Sequence, residues 1–286
     1  MVYLLNFRDL PVGGKVSLRG RLSLLGAPPV PEQVALDKEQ VALEKLALES
    51  EVTFLIHGFN NNQINGQAKL EQLAGSLKST QGKGVVAVLW PGDHGWLGPL
   101  SYPMEGVDAD ATADSFSQFI SLYIRPGTRV CFVTHSMGAR VAMETIKQLR
   151  SKYGFSQVCL MAAAIDDDSL SCHNVYRNAT LAVDRLTVLS SEKDSVLALA
   201  YPLGDFLQSV FFFETDTDGL ALGLSGPRSC RACKGPVPSN VYAHPISRSA
   251  NVGHSDYVTN GIMRPTHIQT AAFVDEVLSG VSVPVW

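Results

Sequence analysis

The chain has 286 residues, 23 Lys+Arg against 27 Asp+Glu, a net charge of −4, and 45% hydrophobic but only 17% charged residues. A chain this long and this apolar can bury a sizeable core and is not disordered; its length fits one large domain or two ordinary ones. The slight acidity argues against a nucleic-acid partner, whose phosphates require basic stripes, and no apolar run approaches the ~20 residues that span a bilayer.

Residues 1–10 hold a short apolar stretch with Arg8 after it, without the basic start and longer apolar core of a secretory signal. The chain therefore reads as cytoplasmic, with export lacking a conventional signal as the alternative. The five cysteines agree: the number is odd, and Cys131 and Cys159 sit inside apolar runs as small hydrophobes. Cys230 and Cys233 form a lone CxxC with no second ligand pair nearby, and read as unligated thiols.

Residues 2–7 and 15–22 read as two strands around a turn at 11–14, followed by a Pro-rich loop at 26–31. Residues 34–48 have helical spacing but also fit an irregular segment. From there short apolar runs at 52–56, 85–90, 129–133, 158–165, 185–189 and 241–246 alternate with helical stretches, among them 68–77, 110–122, 141–149 and 267–278. Such alternation is the signature of a parallel sheet covered on both faces. The fold class is α/β: one doubly wound, mostly parallel domain over 1–286, with an N-terminal strand pair and a cap-like insertion at 198–238 before the last strand.

In such sheets ligands bind beyond the carboxyl ends of the strands. Thr134-His135-Ser136-Met137-Gly138 joins an apolar run to a helix and approximates the G-x-S-x-G nucleophile elbow, with Thr134 in place of the first glycine. A serine on that turn sits at a helix amino terminus, whose dipole favours developing negative charge. A serine hydroxyl becomes a good nucleophile only when an imidazole takes its proton, and the imidazole needs a carboxylate to fix its tautomer. The chain order that goes with the elbow is serine, acid, histidine. Asp194 and His254 fit it, each following an apolar run. The rival acids are Asp166, Asp167 and Asp168 after the preceding strand; the rival bases are His244, read as a packed histidine inside the last strand, and His267, read as a solvated helix cap.

The run ending Phe54-Leu55-Ile56-His57-Gly58-Phe59 supplies the second half of an oxyanion site, which assigns its two donors to the backbone amides of Phe59 and Met137. His57 is read as holding that turn, and Asn60, Asn61 and Asn62 as caps for the next helix. Together with Leu89-Trp90-Pro91-Gly92 and the segment Ser190-Ser191-Glu192-Lys193-Asp194-Ser195-Val196-Leu197, these motifs resemble the α/β-hydrolase family, in particular a bacterial branch classed as a domain of unknown function. The resemblance covers about 52–278. It implies Ser136 as nucleophile, Asp194 as acid and His254 as base of a cofactor-free serine hydrolase acting on esters or lipids.

Trp90, together with Trp96 and Tyr102, is a candidate for one wall of an acyl pocket, and Phe206 and Phe211 of the insertion for the other. The expected partner is then a small-molecule ester or a lipid-like substrate. Glu214-Thr215-Asp216-Thr217-Asp218-Gly219 imitates half a calcium loop, but Ser225 stands where the bidentate Glu belongs, so no metal is assigned. A thioesterase or acyltransferase would use the same residues. A binding or assembly protein on the same fold, without catalysis, is the alternative from another class.

Overall fold

The strands, in chain order, are Val2–Arg8 (β1), Val16–Leu24 (β2), Glu51–Ile56 (β3), Gly84–Leu89 (β4), Arg129–His135 (β5), Phe155–Met161 (β6), Val183–Ser190 (β7) and Val241–Pro245 (β8). In this computed structural model, which describes residues 2–26, 31–93, 102–171, 174–199, 220–230 and 235–286, they form one sheet in the order β2-β1-β4-β3-β5-β6-β7-β8. Every neighbouring pair is parallel except β1 with β2, an antiparallel hairpin that closes one edge. β3 and β4 are buried at every position, as their unbroken apolar runs require of central parallel strands.

The principal helices are Glu32–Leu46 (α1), Gln63–Ser76 (α2), Tyr102–Tyr123 (α3), Gly138–Leu149 (α4), Arg177–Leu181 (α5), Leu222–Ser225 (α6) and Pro265–Leu278 (α7). Residues 34–48, ambiguous by periodicity, are largely α1, whose Ala42, Leu43 and Leu46 are buried. Right-handed crossovers send α2, between β3 and β4, to one face, and α3 and α4, which step the other way along the sheet, to the opposite face. The packing agrees: α3 lies on α4, and α2 lies on α7. Between α3 and the sheet, Phe116 meets Phe54 edge-on at 4.9 Å and Phe7 at 5.9 Å, pairs worth about 0.5–1.5 kcal/mol each beyond the area they bury. Among the described residues no helix is long and apolar enough to cross a membrane.

Two expectations change. Cys131 and Cys159 are free and buried as read, but Cys230 is disulfide-bonded rather than an unligated thiol. A thiol pairs with whatever the fold brings near, which spacing along the chain does not reveal. His244 is half-buried on the edge strand β8 with its ring edge-on to Phe273 at 5.2 Å, not enclosed in the core.

Candidate active site

The chain runs from β3 to β4 in one direction and then from β4 past β3 to β5 in the other, so the strand order reverses between β3 and β5. A crevice opens at such a switch point beyond the carboxyl ends of the strands. β5 ends at His135 and α4 starts at Gly138, leaving Ser136 and Met137 to make the whole turn. Ser136 accomplishes it with a left-handed backbone, φ 53°, a conformation that costs a non-glycine residue about 1–2 kcal/mol. The strained residue is pinned on both sides: its N–H donates to the Met161 carbonyl (3.0 Å) and its carbonyl accepts from the amides of Ala139 (3.0 Å) and Ala164 (3.2 Å). Thr134, in place of the first glycine of the elbow, is wholly buried in β5 and does not prevent the turn. The close approach falls instead on two other glycines. A Cβ on Gly138 would lie 2.6 Å from the His57 carbonyl oxygen, and one on Gly58 would lie 2.7 Å from the Cβ of Ser136.

The structure brings Ser136, Asp194 and His254 together from the ends of three strands. Asp194, fully buried just after β7, accepts the Leu197 N–H on Oδ1 (3.0 Å) and the Nδ1–H of His254 on Oδ2 (2.8 Å). An ionised carboxylate only accepts, so it fixes the proton on Nδ1 and leaves the Nε2 lone pair for the Ser136 hydroxyl, 3.0 Å away. The His254 ring remains slightly exposed, at 15%.

The loop that carries His254 is tied down by residues whose part in holding it leaves no mark in the sequence. The Ser191 hydroxyl donates to the Val252 carbonyl (2.6 Å), and the Gly253 N–H donates to Asp256 (2.9 Å). His135 donates from Nε2 to the His254 carbonyl (2.9 Å), and His267 donates from Nε2 to the next carbonyl, that of Ser255 (3.1 Å). A carbonyl cannot donate, so both rings carry their proton on Nε2. His267 also accepts the Arg264 N–H on Nδ1 (3.0 Å): it does cap the last helix, but from a buried position rather than a solvated one. Burial, and then the facing His254 ring at 4.7 Å, hold His135 well below the usual imidazole pKa. The adjacency of His135 to Ser136 was visible in the chain; its partner was not.

Two of the rival acids, Asp167 and Asp168, serve elsewhere. Asp168 accepts from Asn174 (2.9 Å), while Asp167 meets the Ser225 hydroxyl (3.0 Å) and Arg228 (3.3 Å), so this turn fastens the segment around α6 to the sheet edge. Glu214 to Gly219, Trp96, Phe206 and Phe211 lie outside the described residues, as does the Tyr102 side chain. Trp90, expected on a pocket wall, is completely buried. Its ring stacks on His57 at 5.6 Å, and its Nε1–H donates to the His57 carbonyl (2.9 Å). His57 holds the turn as read, donating from Nδ1 to Gly58 O (2.8 Å) and accepting the Trp90 N–H on Nε2 (3.2 Å). Burial lowers its pKa to about 3, so it stays neutral. Of the three asparagines only Asn62 caps α2, accepting from the Asn65 N–H (2.9 Å). Among the described residues no three His, Cys, Asp or Glu side chains gather as a metal site would need.

A doubly wound sheet with a serine elbow at its switch point defines the class, and the chain belongs to the family described as alpha/beta hydrolases of unknown function (DUF900), whose model matches residues 36–206 of the 286. A search of curated proteins finds no match. Among solved structures the chain is similar to the apo form of Thermogutta terrifontis esterase 2, at 10% identity and a TM-score of 0.41, covering 84% of this chain and 87% of that one. It is also similar to an inhibited esterase B from Lactobacillus rhamnosis, at 13% identity and a TM-score of 0.40, covering 82% and 79%.

Proposed function

We propose that the protein is a serine hydrolase that cleaves a carboxylic ester through an acyl-enzyme on Ser136. One observation carries the reading: the continuous line from Asp194 to His254 (2.8 Å) to the Ser136 hydroxyl (3.0 Å), assembled from residues far apart in the chain. As Ser136 Oγ attacks the ester carbonyl carbon, its proton passes to His254 Nε2. The buried Asp194 carboxylate stabilises the imidazolium that forms without taking the proton itself. The carbonyl oxygen becomes an oxyanion, held by the backbone amides of Met137 and Phe59, each such donor being worth about 3 kcal/mol in the transition state. Collapse breaks the bond to the alcohol, which leaves with the proton from His254. Water then gives a proton to the same nitrogen, attacks the acyl carbon and releases the carboxylic acid, restoring Ser136.

The substrate class is a small-molecule or lipid-like ester. The low charge of the chain, 17% of residues, suits an uncharged acyl part better than a polyanion. The test is a panel of p-nitrophenyl esters of increasing chain length together with a fluorophosphonate probe, run beside Ser136→Ala. Hydrolysis and a single adduct that both vanish in Ser136→Ala are the expected result. A wild-type protein that gains no adduct, or a Ser136→Ala protein that still labels, refutes the assignment.

A further inference from the structure

The hairpin that opens the chain precedes the segment 36–206 matched by the family, yet it delivers a side chain to the same sheet edge. Arg8, the last residue of β1, has no exposed side-chain surface and forms an ion pair with Asp93, itself buried just past β4. One guanidinium nitrogen, Nη1, donates to the Trp90 carbonyl (2.9 Å) and to the Asn61 carbonyl (3.2 Å). Asn61 is buried in turn, and its Nδ2 donates to two successive carbonyls, Gly58 O and Phe59 O, both at 2.9 Å. The next residue, Asn60, is held in the left-handed region (φ 57°) with its N–H on the Gly92 carbonyl (2.6 Å). A buried guanidinium is costly unless its donors are matched, and here they are spent on carbonyls of the loops after β1, β3 and β4 rather than on the core.

The peptide between Gly58 and Phe59 is planar and trans, so its C=O and N–H point in opposite directions. The Gly58 carbonyl accepts from Asn61 and also from His57 Nδ1 (2.8 Å), and fixing it toward these donors fixes the Phe59 N–H away from them. Gly58 lies close against Ser136: a Cβ built on it would stand 2.7 Å from the Cβ of Ser136. We propose that Arg8 and Asn61 are positioning residues for the Phe59 amide: Arg8, paired with Asp93, holds the Asn61 main chain, and the Asn61 side chain, together with His57, sets the peptide plane whose N–H receives the oxyanion. The proposal rests on the serine-hydrolase reading above. It assigns the N-terminal hairpin a part in the chemistry, because β1 supplies the outermost link of that chain.

The test uses the full-length protein, p-nitrophenyl acetate, and active sites counted by fluorophosphonate labelling. Asn61→Ala is expected to lower kcat per labelled site roughly a hundredfold with KM within about twofold, the pattern of a lost transition-state interaction. Labelling should slow in step, since the phosphoryl oxygen of the probe occupies the same hole. Arg8→Met should act in the same direction, and the double variant should be no slower than the worse single one, because the two residues act in series. Arg8→Lys keeps the charge but loses the fork, and should fall between. A merely structural role would lower the melting temperature and the labelled fraction while leaving kcat per labelled site unchanged, and that result overturns the proposal. Where Arg8→Met fails to fold, Asn61→Ala, which strands no charge, decides alone. A wild type that hydrolyses while Ser136→Ala does not keeps the hydrolase reading, so normal kcat in the variants overturns the positioning roles only. A wild type that neither hydrolyses nor labels overturns both.

Discussion

Replacing Gly58 by alanine would set a methyl carbon 2.7 Å from the Cβ of Ser136 and 3.0 Å from both Nδ1 and the carbonyl oxygen of His135. Carbon atoms pack at about 3.5–4.0 Å, so the loop after β3 and the elbow must separate by about 1 Å. The elbow is the stiffer side, since Ser136 is hydrogen-bonded through its N–H to the last residue of β6 and through its carbonyl to the chain just beyond it. The loop therefore retreats and takes the Phe59 amide with it. A misplacement of about 1 Å in a reacting site costs about 10²-fold in rate, and overpacking costs about 1–3 kcal/mol of stability. With p-nitrophenyl acetate the expected outcome is a kcat lower by roughly a hundredfold, a nearly unchanged KM and a lower melting temperature. Gly75, in the last turn of α2, provides the control: an added Cβ there meets nothing within 4 Å, so alanine should stabilise by about 0.5–1 kcal/mol and leave kcat alone. A Gly58→Ala enzyme as fast as wild type would mean that the contact between loop and elbow does not set the reacting geometry.

Asp194→Asn replaces an acceptor-only carboxylate with an amide that can hold the wrong His254 tautomer, and kcat should fall by about 10⁴-fold with the fold intact by circular dichroism; a loss under tenfold would assign the acid elsewhere. His57 and His135 remain neutral when folded, held down by burial, His57 to about 3, whereas the unfolded chain takes up both protons near the ordinary imidazole value of about 6.5. Unfolding thus binds protons, and stability must drop as pH falls below about 6.5, by up to about 1.4 kcal/mol per pH unit for each histidine, the His57 contribution extending down to about pH 3. Urea midpoints measured across that range check the slope, and a flat profile would contradict it. The thiols of Cys131 and Cys159, pushed up by burial to about 11 and about 12, should resist iodoacetamide in the native protein and react only after unfolding, as read by mass spectrometry.

Much of the fold was legible because central parallel strands, buried on both faces, must be apolar without interruption, and the runs at 52–56, 85–90 and 129–133 are. The order Ser136, Asp194, His254 was legible because a doubly wound sheet presents the carboxyl ends of its parallel strands on one edge. Helix α1 was ambiguous because its polar face breaks the periodicity, and only packing against β2 decides it. His267 reads as a surface cap by position, yet the fold folds the loop 254–256 back over it. Trp90 follows a strand end as a pocket residue would, yet it turns inward onto His57.

By itself, then, the sequence determined which residue types stand at the strand ends and in what chain order, since those follow from local pattern and from the handedness of crossovers. Which of them meet follows from the packing of the folded chain alone. His135 and His267 reach the loop of His254, Asn61 grips the carbonyls beside Ser136, and Arg8 pairs with Asp93 across 85 residues of chain. The physical reason is that buried polar groups must find hydrogen-bond partners wherever the fold brings them, and such partners leave no periodic mark along the chain.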